Sequence, residues 1–531
     1  MSNDKGDVRL NKQLLIPTVA IVGLIAIPMI LYSQHPQIQT FISFVYEFTS
    51  KSFGWAYILL YLLFAFFMLF IAFSPYGKIK LGGPNAEPKY NYFHWASMII
   101  AAGHGIGLIN WVMVEPLVTN ALAPLGTGYN KAYSFEVAGA YTFFHWGPFY
   151  WVLFLVASVP IFYFLGVRQR NKQCVSVTIE PLLGKKSSNS LWGVLFDVFI
   201  ILALAGGIGT TLTLAVQLVS GLFAEIVGIE PSRTLQLTAL LVFTIVTLVS
   251  LSRPVSRGMR VLSDANSVLA LLLLAVVVVG GPTSFFLNMT VNMLGTTMDI
   301  FPRISGWTDP FMASGYPQEW TIFYGAWTYA YAPMMGIFFT SISMGRTLRE
   351  TVLGIFFFGC LSSFLFCNIL GGFSLYVQYQ GIFDTYSYYL ATGKNLSLTV
   401  GKVLSLLPGA KFFAPAFLVM CTIFLTTTID ASTRVLASMT TKSMYAGQEP
   451  AVFSKVTWCI ALSLLVLALL LVGGLPVVQA LCVLSAIPLV VLGVVMNFSM
   501  WKCMREDFPG VRNKNILYYT PKEPRNPVPQ D

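Results

Sequence analysis

Residues 14–31, LLIPTVAIVGLIAIPMIL, form the first of a series of apolar runs too long for a soluble core to require. A helix rises about 1.5 Å per residue and needs about 20 mainly apolar residues to cross a hydrocarbon layer roughly 30 Å thick. Such stretches recur about twelve times, near 14–33, 52–74, 93–121, 137–166, 192–226, 234–252, 258–281, 318–344, 350–378, 411–441, 454–474 and 477–500. The ten-residue alternation of a membrane barrel is absent, so the chain reads as an all-α polytopic membrane protein.

An even number of spans puts both termini on one side. With the N terminus inside, 24 of the 32 Lys and Arg fall in cytoplasmic segments, seven fall outside, and Arg434 lies within the tenth span. The net charge of +10 therefore reports topology, and no nucleic-acid partner is expected. Residues 1–12 read as a cytoplasmic tail, 13–500 as one transmembrane domain of two peripheral helices and two blocks near 93–281 and 318–500, and 501–531 as a proline-bearing cytoplasmic tail. No A-x-A signal follows the first run, which reads as a retained anchor. The polar and apolar residues of SFFLNMTVNMLGTTMDIF, after the seventh span, suit either a helix lying in the outer interface or a loop with one helical turn. The seven cysteines show no C-x-x-C spacing, so neither a disulfide framework nor a zinc site is suggested, and no cofactor is expected.

Solute sites inside membranes often use interrupted helices, whose freed carbonyls and amides become ligands. The third span carries Gly103, Gly105 and Gly107 ahead of Pro116, and the eighth carries Gly325, Pro333 and Gly336. Glycines at such spacing also serve close helix packing, and both readings stay open. Each of these spans begins one of two consecutive five-span blocks, the layout of an inverted-repeat transporter.

Within EWTIFYGAWTYAYAP, residues 319–333, the side chains of Trp320, Phe323 or Tyr324, Trp327 and Tyr331 share one helical face. Trp327 and Tyr331 lie about 14 to 20 Å from the outer end of the span, too deep for an interfacial belt. The fourth span supplies FFHWGPFYWVLF, with Trp146, Trp151 and Phe154. Several ring faces around one cavity attract a quaternary ammonium ion at about 0.5 to 2 kcal/mol each. Aromatic packing between helices is the alternative.

Residues 320–350, WTIFYGAWTYAYAPMMGIFFTSISMGRTLRE, resemble the signature of the betaine/carnitine/choline transporters, together with GHGIGLINWVMVEP, FHWGPFYW, LSDAN (262–266) and TTTIDAST (426–433) in the family's order. TDPFMASGYPQEW, residues 308–320, is similar to the carnitine/γ-butyrobetaine antiporter branch. The resemblance implies twelve spans with a leucine-transporter-type core, a homotrimer, and alternating-access transport of small trimethylammonium solutes. It also implies a bacterial inner membrane. It places Trp146, Trp151, Phe154, Trp327 and Tyr331 around the solute's cation, Trp111 on the access path, and Gly103, Gly105 and Gly107 beside the carboxylate. Gly325 and Thr328 stand where the family has tryptophans, which suggests room for a longer solute or a hydrogen bond from Thr328.

Sodium-coupled members hold an ion between the third and tenth spans. The matching positions are the hydroxyls of Thr427 and Thr428 and the carbonyls of Ala101, His104 and Phe424; hydroxyls bonding to their own helix are the alternative. The antiporter branch replaces the ion by an arginine in the seventh span and a methionine in the eighth. Met335 matches the methionine, but Asn266 occupies the arginine position, which favours sodium symport over exchange. His104 also leaves proton coupling open. Glu115, Asp197, Asp264, Asp430 and Arg434 need partners or water within the membrane, and Asp430 with Arg434 has pairing distance along a helix. A membrane enzyme is the rival class, but the four histidines form no H-E-x-x-H.

Overall fold

The structure, a computed structural model, describes residues 9–103, 105–129, 131–169, 174–184, 190–252, 257–311, 314–407, 409–442, 449–473 and 475–509. Every expected span falls on helix. Among the described residues nine helices are long and apolar enough to cross a membrane by themselves, and a tenth crossing belongs to a bent pair. The remaining two are the third and eighth spans. An all-α polytopic membrane protein is thus what the hydropathy pattern builds, with one small exception: Arg9–Leu10 pairs antiparallel with Thr441–Lys442, tethering the N-terminal segment to the end of the tenth span.

Boundaries differ from expectation in three places. The second helix, Pro36–Phe73, begins well before residue 52, because its polar first turns project beyond the apolar stretch. The segment after the seventh span is a full helix, Thr283–Gly306, turned by 111° from Asp264–Gly280, so it is more than a loop with one turn. The last helix runs to Asp507, where the carboxylate accepts from Arg168 Nε at 2.8 Å and Nη2 at 2.9 Å, fastening the twelfth span to the end of the fourth.

The fourth span, Ala132–Val167, is buried along nearly its whole length, whereas the sixth, Arg233–Leu251, is mostly exposed. The fourth and eighth spans pack against each other, and the fifth packs on the tenth and twelfth. These helices therefore form the interior, and the sixth faces outward.

The interruptions fall partly where glycine suggested and partly elsewhere. The third span is divided into Tyr92–Gly103, Ile106–Val112 and Glu115–Leu122. The eighth is not broken at Gly325, Pro333 or Gly336: Ile322–Ser343 is one helix. Its glycines serve packing, since a Cβ on Gly325 would stand 3.1 Å from the Phe149 ring and one on Gly336 would stand 2.9 Å from Ser158 Cα. The irregular turn lies earlier, as a π-helical stretch at Pro317–Thr321. Three further π stretches occur, at His145–Phe149 and Phe162–Val167 in the fourth span and at Cys367–Gly371 in the ninth. Each shifts the helical register by inserting a residue, as Gly147 with Pro148 permits in the first and Gly371 with Gly372 in the last.

Candidate solute site

The break in the third span is local and sharp. Gly105, with φ −119° and ψ −175°, is extended and caps Ile106–Val112, so the helix that ends at Gly103 cannot continue through it. A Cβ on Gly105 would meet nothing within 4 Å; one on Gly107 would stand 2.7 Å from Trp327 Cη2. The unwound backbone therefore lies against the aromatic stripe with open space beside it. His104 lies outside the described residues, and of Ala101 only the helical backbone is described.

The fourth and eighth spans bring their rings together. Trp146 meets Trp327 edge to face, with centroids 6.1 Å apart, and lies 5.1 Å from Tyr324. The two indoles are near enough for one cation to lie within about 6 Å of both, the range over which a ring face attracts it. Tyr150, which the sequence did not single out, joins Trp146 to Phe154, at 5.6 and 4.5 Å.

The fifth span fixes two of these rings. Trp327 Nε1 donates to Thr211 Oγ1 at 3.0 Å, Tyr331 Oη donates to the same oxygen at 2.8 Å, and Thr211 Oγ1 donates to the Gly207 carbonyl at 3.1 Å. Thr211 thus uses its one donor and both acceptor sites, which locks both aromatic side chains. No motif announced Thr211.

Nearer the Gln318 end, Trp111 is fully buried and packs edge-on to Trp320, Phe323 and Tyr324 at 5.1, 6.2 and 6.0 Å. Tyr324 and Phe323 of this group in turn touch Trp146 and Trp327, at 5.1 and 5.5 Å.

Three expected contributors point elsewhere. Trp151 is buried against the ninth span: its Nε1 donates to Ser363 Oγ at 3.1 Å, and its ring occupies the space over Gly359. Thr328 Oγ1 donates to the Tyr324 carbonyl at 2.8 Å, so the hydroxyl proton already has its partner and is not free for a solute. Gly325 is filled by Phe149, so the missing tryptophan there leaves no extra room. Met335 is buried one residue before Gly336, and Asn266 is buried in the seventh span with neither amide atom partnered among the described residues.

On the ion side, Thr427 Oγ1 donates to the carbonyls of Ile423 and Phe424 at 2.9 and 3.1 Å. The back-bonding alternative therefore describes Thr427, yet a hydroxyl that donates keeps lone pairs for a cation. Thr428 and Phe424 are half-buried, and the tenth span touches Ile106–Val112. Asp430 accepts from Arg434 Nε at 2.8 Å, and Arg434 Nη1 also donates to Glu449 at 2.6 Å, so this charge pair is structural.

Helices interrupted beside a ring cluster in the interior of a polytopic bundle are an arrangement that membrane transporters use. The family model "BCCT, betaine/carnitine/choline family transporter" matches residues 13–509, and the chain belongs to that family. It is similar to the glycine betaine transporter OpuD of Bacillus subtilis (strain 168), 31% identical over 482 residues covering 90% of this chain and 91% of that one.

Proposed function

We propose that this protein carries a small trimethylammonium zwitterion of the glycine betaine type across the membrane by alternating access, driven by sodium. The observation that carries this is the Trp146–Trp327 pair with Tyr331 anchored beside Trp327 on Thr211, the Trp327 indole lying against Gly107 just past the break in the third span. Rings bind the methylated cation through the negative potential of their faces. The amides and carbonyls around Gly103, Gly105 and Gly107 receive the carboxylate end, since glycine lets a ligand approach the backbone. The name of the relative, a glycine betaine transporter, agrees with this choice among methylated amines.

Sodium, rather than a fixed charge, is supported by Asn266 at the position an arginine would fill and by the oxygen set of Ala101, His104, Phe424, Thr427 and Thr428. When bound between the third and tenth spans, the ion would join the unwound turn to the helix opposite it and so couple its own movement to that of the solute. Exchange without sodium is the second reading, favoured by Met335 at the position of the antiporter branch's methionine. Cytoplasmic termini, a bacterial inner membrane and a homotrimer complete the proposal, the first supported by the placement of the 24 inner Lys and Arg.

Uptake of labelled glycine betaine, carnitine and γ-butyrobetaine into proteoliposomes tests this directly. Accumulation in empty vesicles under an inward sodium gradient at fixed pH is expected. Uptake only into preloaded vesicles, indifferent to sodium, would make the protein an exchanger. No uptake of any of the three would overturn the solute class.

A further inference from the structure

Glu115 takes no part in the mechanism above, yet it sits directly against the cage. It opens the helix Glu115–Leu122, beyond the kink that ends Ile106–Val112, and its side chain is fully buried. Both carboxylate oxygens face rings of the fourth span. Oε2 accepts from Trp146 Nε1 at 2.7 Å, and Oε1 lies 2.7 Å from His145 Nδ1. His145 Nε2 in turn lies 2.9 Å from Thr321 Oγ1.

An indole N–H only donates, so Oε2 must accept. An imidazole with its proton on Nδ1 donates to Oε1 and accepts from the Thr321 hydroxyl, which satisfies every polar atom of the group. With the carboxylate ionised and the imidazole neutral, the unit would carry one negative charge. A buried intramembrane charge is expensive and points to function. Three interruptions meet at it: the kink of the third span, the π turn at His145–Phe149 and the π turn at Pro317–Thr321. Sequence inspection marked Glu115 only as a residue needing a partner.

We infer that Glu115 is the counter-charge of the cage, a positioning and specificity-determining residue that acts on the solute through Trp146. Its hydrogen bond fixes the indole plane, and an anionic acceptor on the N–H pushes electron density into the ring, deepening the negative potential of its faces. In a low-dielectric interior its charge also attracts the methylated nitrogen across the ring. The cage thereby prefers a cationic head to a neutral one of the same shape. This rests on the solute site proposed above.

The test compares glycine betaine with 3,3-dimethylbutanoate, in which carbon replaces the charged nitrogen at nearly equal shape, as ligands for the detergent-purified full chain. The wild type should bind glycine betaine better. Glu115→Gln keeps an acceptor for Trp146 but removes the charge: affinity for glycine betaine should fall tenfold or more, while that for 3,3-dimethylbutanoate stays or rises. A structural role alone would weaken both alike and leave their ratio unchanged, which would overturn the inference. Should Glu115→Gln not fold, the double variant Glu115→Gln/His145→Gln, which pairs two amides, asks the same question and is read in the same way. A wild type that binds neither ligand would overturn the solute site and this inference with it; a wild type that prefers glycine betaine beside a variant that prefers it equally overturns the inference alone.

Discussion

Gly107 lies so close to Trp327 that a Cβ at that glycine would stand 2.7 Å from the indole Cη2. The unwound third span and the aromatic stripe of the eighth are therefore one surface. Gly107→Ala should push the indole off its bond to Thr211 and raise the KM for uptake. Gly105→Ala, with nothing within 4 Å of the added methyl, should fold normally and act only on the solute that passes it. Thermal unfolding of the two purified variants beside their uptake kinetics separates these effects; equal unfolding temperatures and equal kinetics would contradict the geometry.

Thr211 is expected to matter as much as a ring. Thr211→Val leaves Trp327 Nε1 and Tyr331 Oη without their acceptor, at about 1 to 3 kcal/mol for a buried unpaired donor. Both side chains lose their fixed rotamers, so KM should rise with little change in expression. Retention of wild-type KM would mean that the rings do not need this anchor.

The hydroxyl of Thr328 is committed to the Tyr324 carbonyl. Thr328→Val should therefore leave the order of preference among glycine betaine, carnitine and γ-butyrobetaine unchanged in competition uptake. A reordering would show that the hydroxyl reaches the solute.

Asp507 holds the end of the fourth span through a two-pronged bond from Arg168. Asp507→Asn weakens that clamp, and hydrogen exchange near residue 168 should quicken while glycine betaine affinity stays the same. A change in affinity instead would tie the clamp to the site.

Much of this was legible from the chain. The spans follow from hydropathy, because a membrane demands an apolar length that few other settings demand. The break at Gly105 was legible because three alternating glycines precede a proline, and the pairing of Asp430 with Arg434 because helical spacing is fixed. Gly325 and Gly336 show the limit: glycine serves a break or a close contact equally well, and only the neighbour, Phe149 or Ser158, decides. Thr211 and Glu115 were less legible still. Their partners lie 116 and 31 residues away, and Thr211, between Thr210 and Thr213 in an apolar helix, looks the same in sequence whether it bonds only its own backbone or two aromatic side chains as well. The π turns escaped for a related reason, since one extra residue in a helix leaves no periodicity that a short window resolves.

Trp151 and Trp327 divide the account most sharply, since Trp327 meets Trp146 directly, whereas Trp151 packs on Tyr150 and Phe154 and turns its N–H to Ser363 of the ninth span. Titration calorimetry with glycine betaine on the wild type, Trp327→Leu and Trp151→Phe is the most direct test. Loss of one ring face, worth about 0.5 to 2 kcal/mol, predicts a twofold to thirtyfold weaker Kd for Trp327→Leu. Trp151→Phe should bind as the wild type does while unfolding at a lower temperature, because it keeps a ring beside Tyr150 and Phe154 but loses the N–H that bonds Ser363 and part of the filling over Gly359. Unchanged affinity in Trp327→Leu, or a larger loss in Trp151→Phe, would contradict the cage described here.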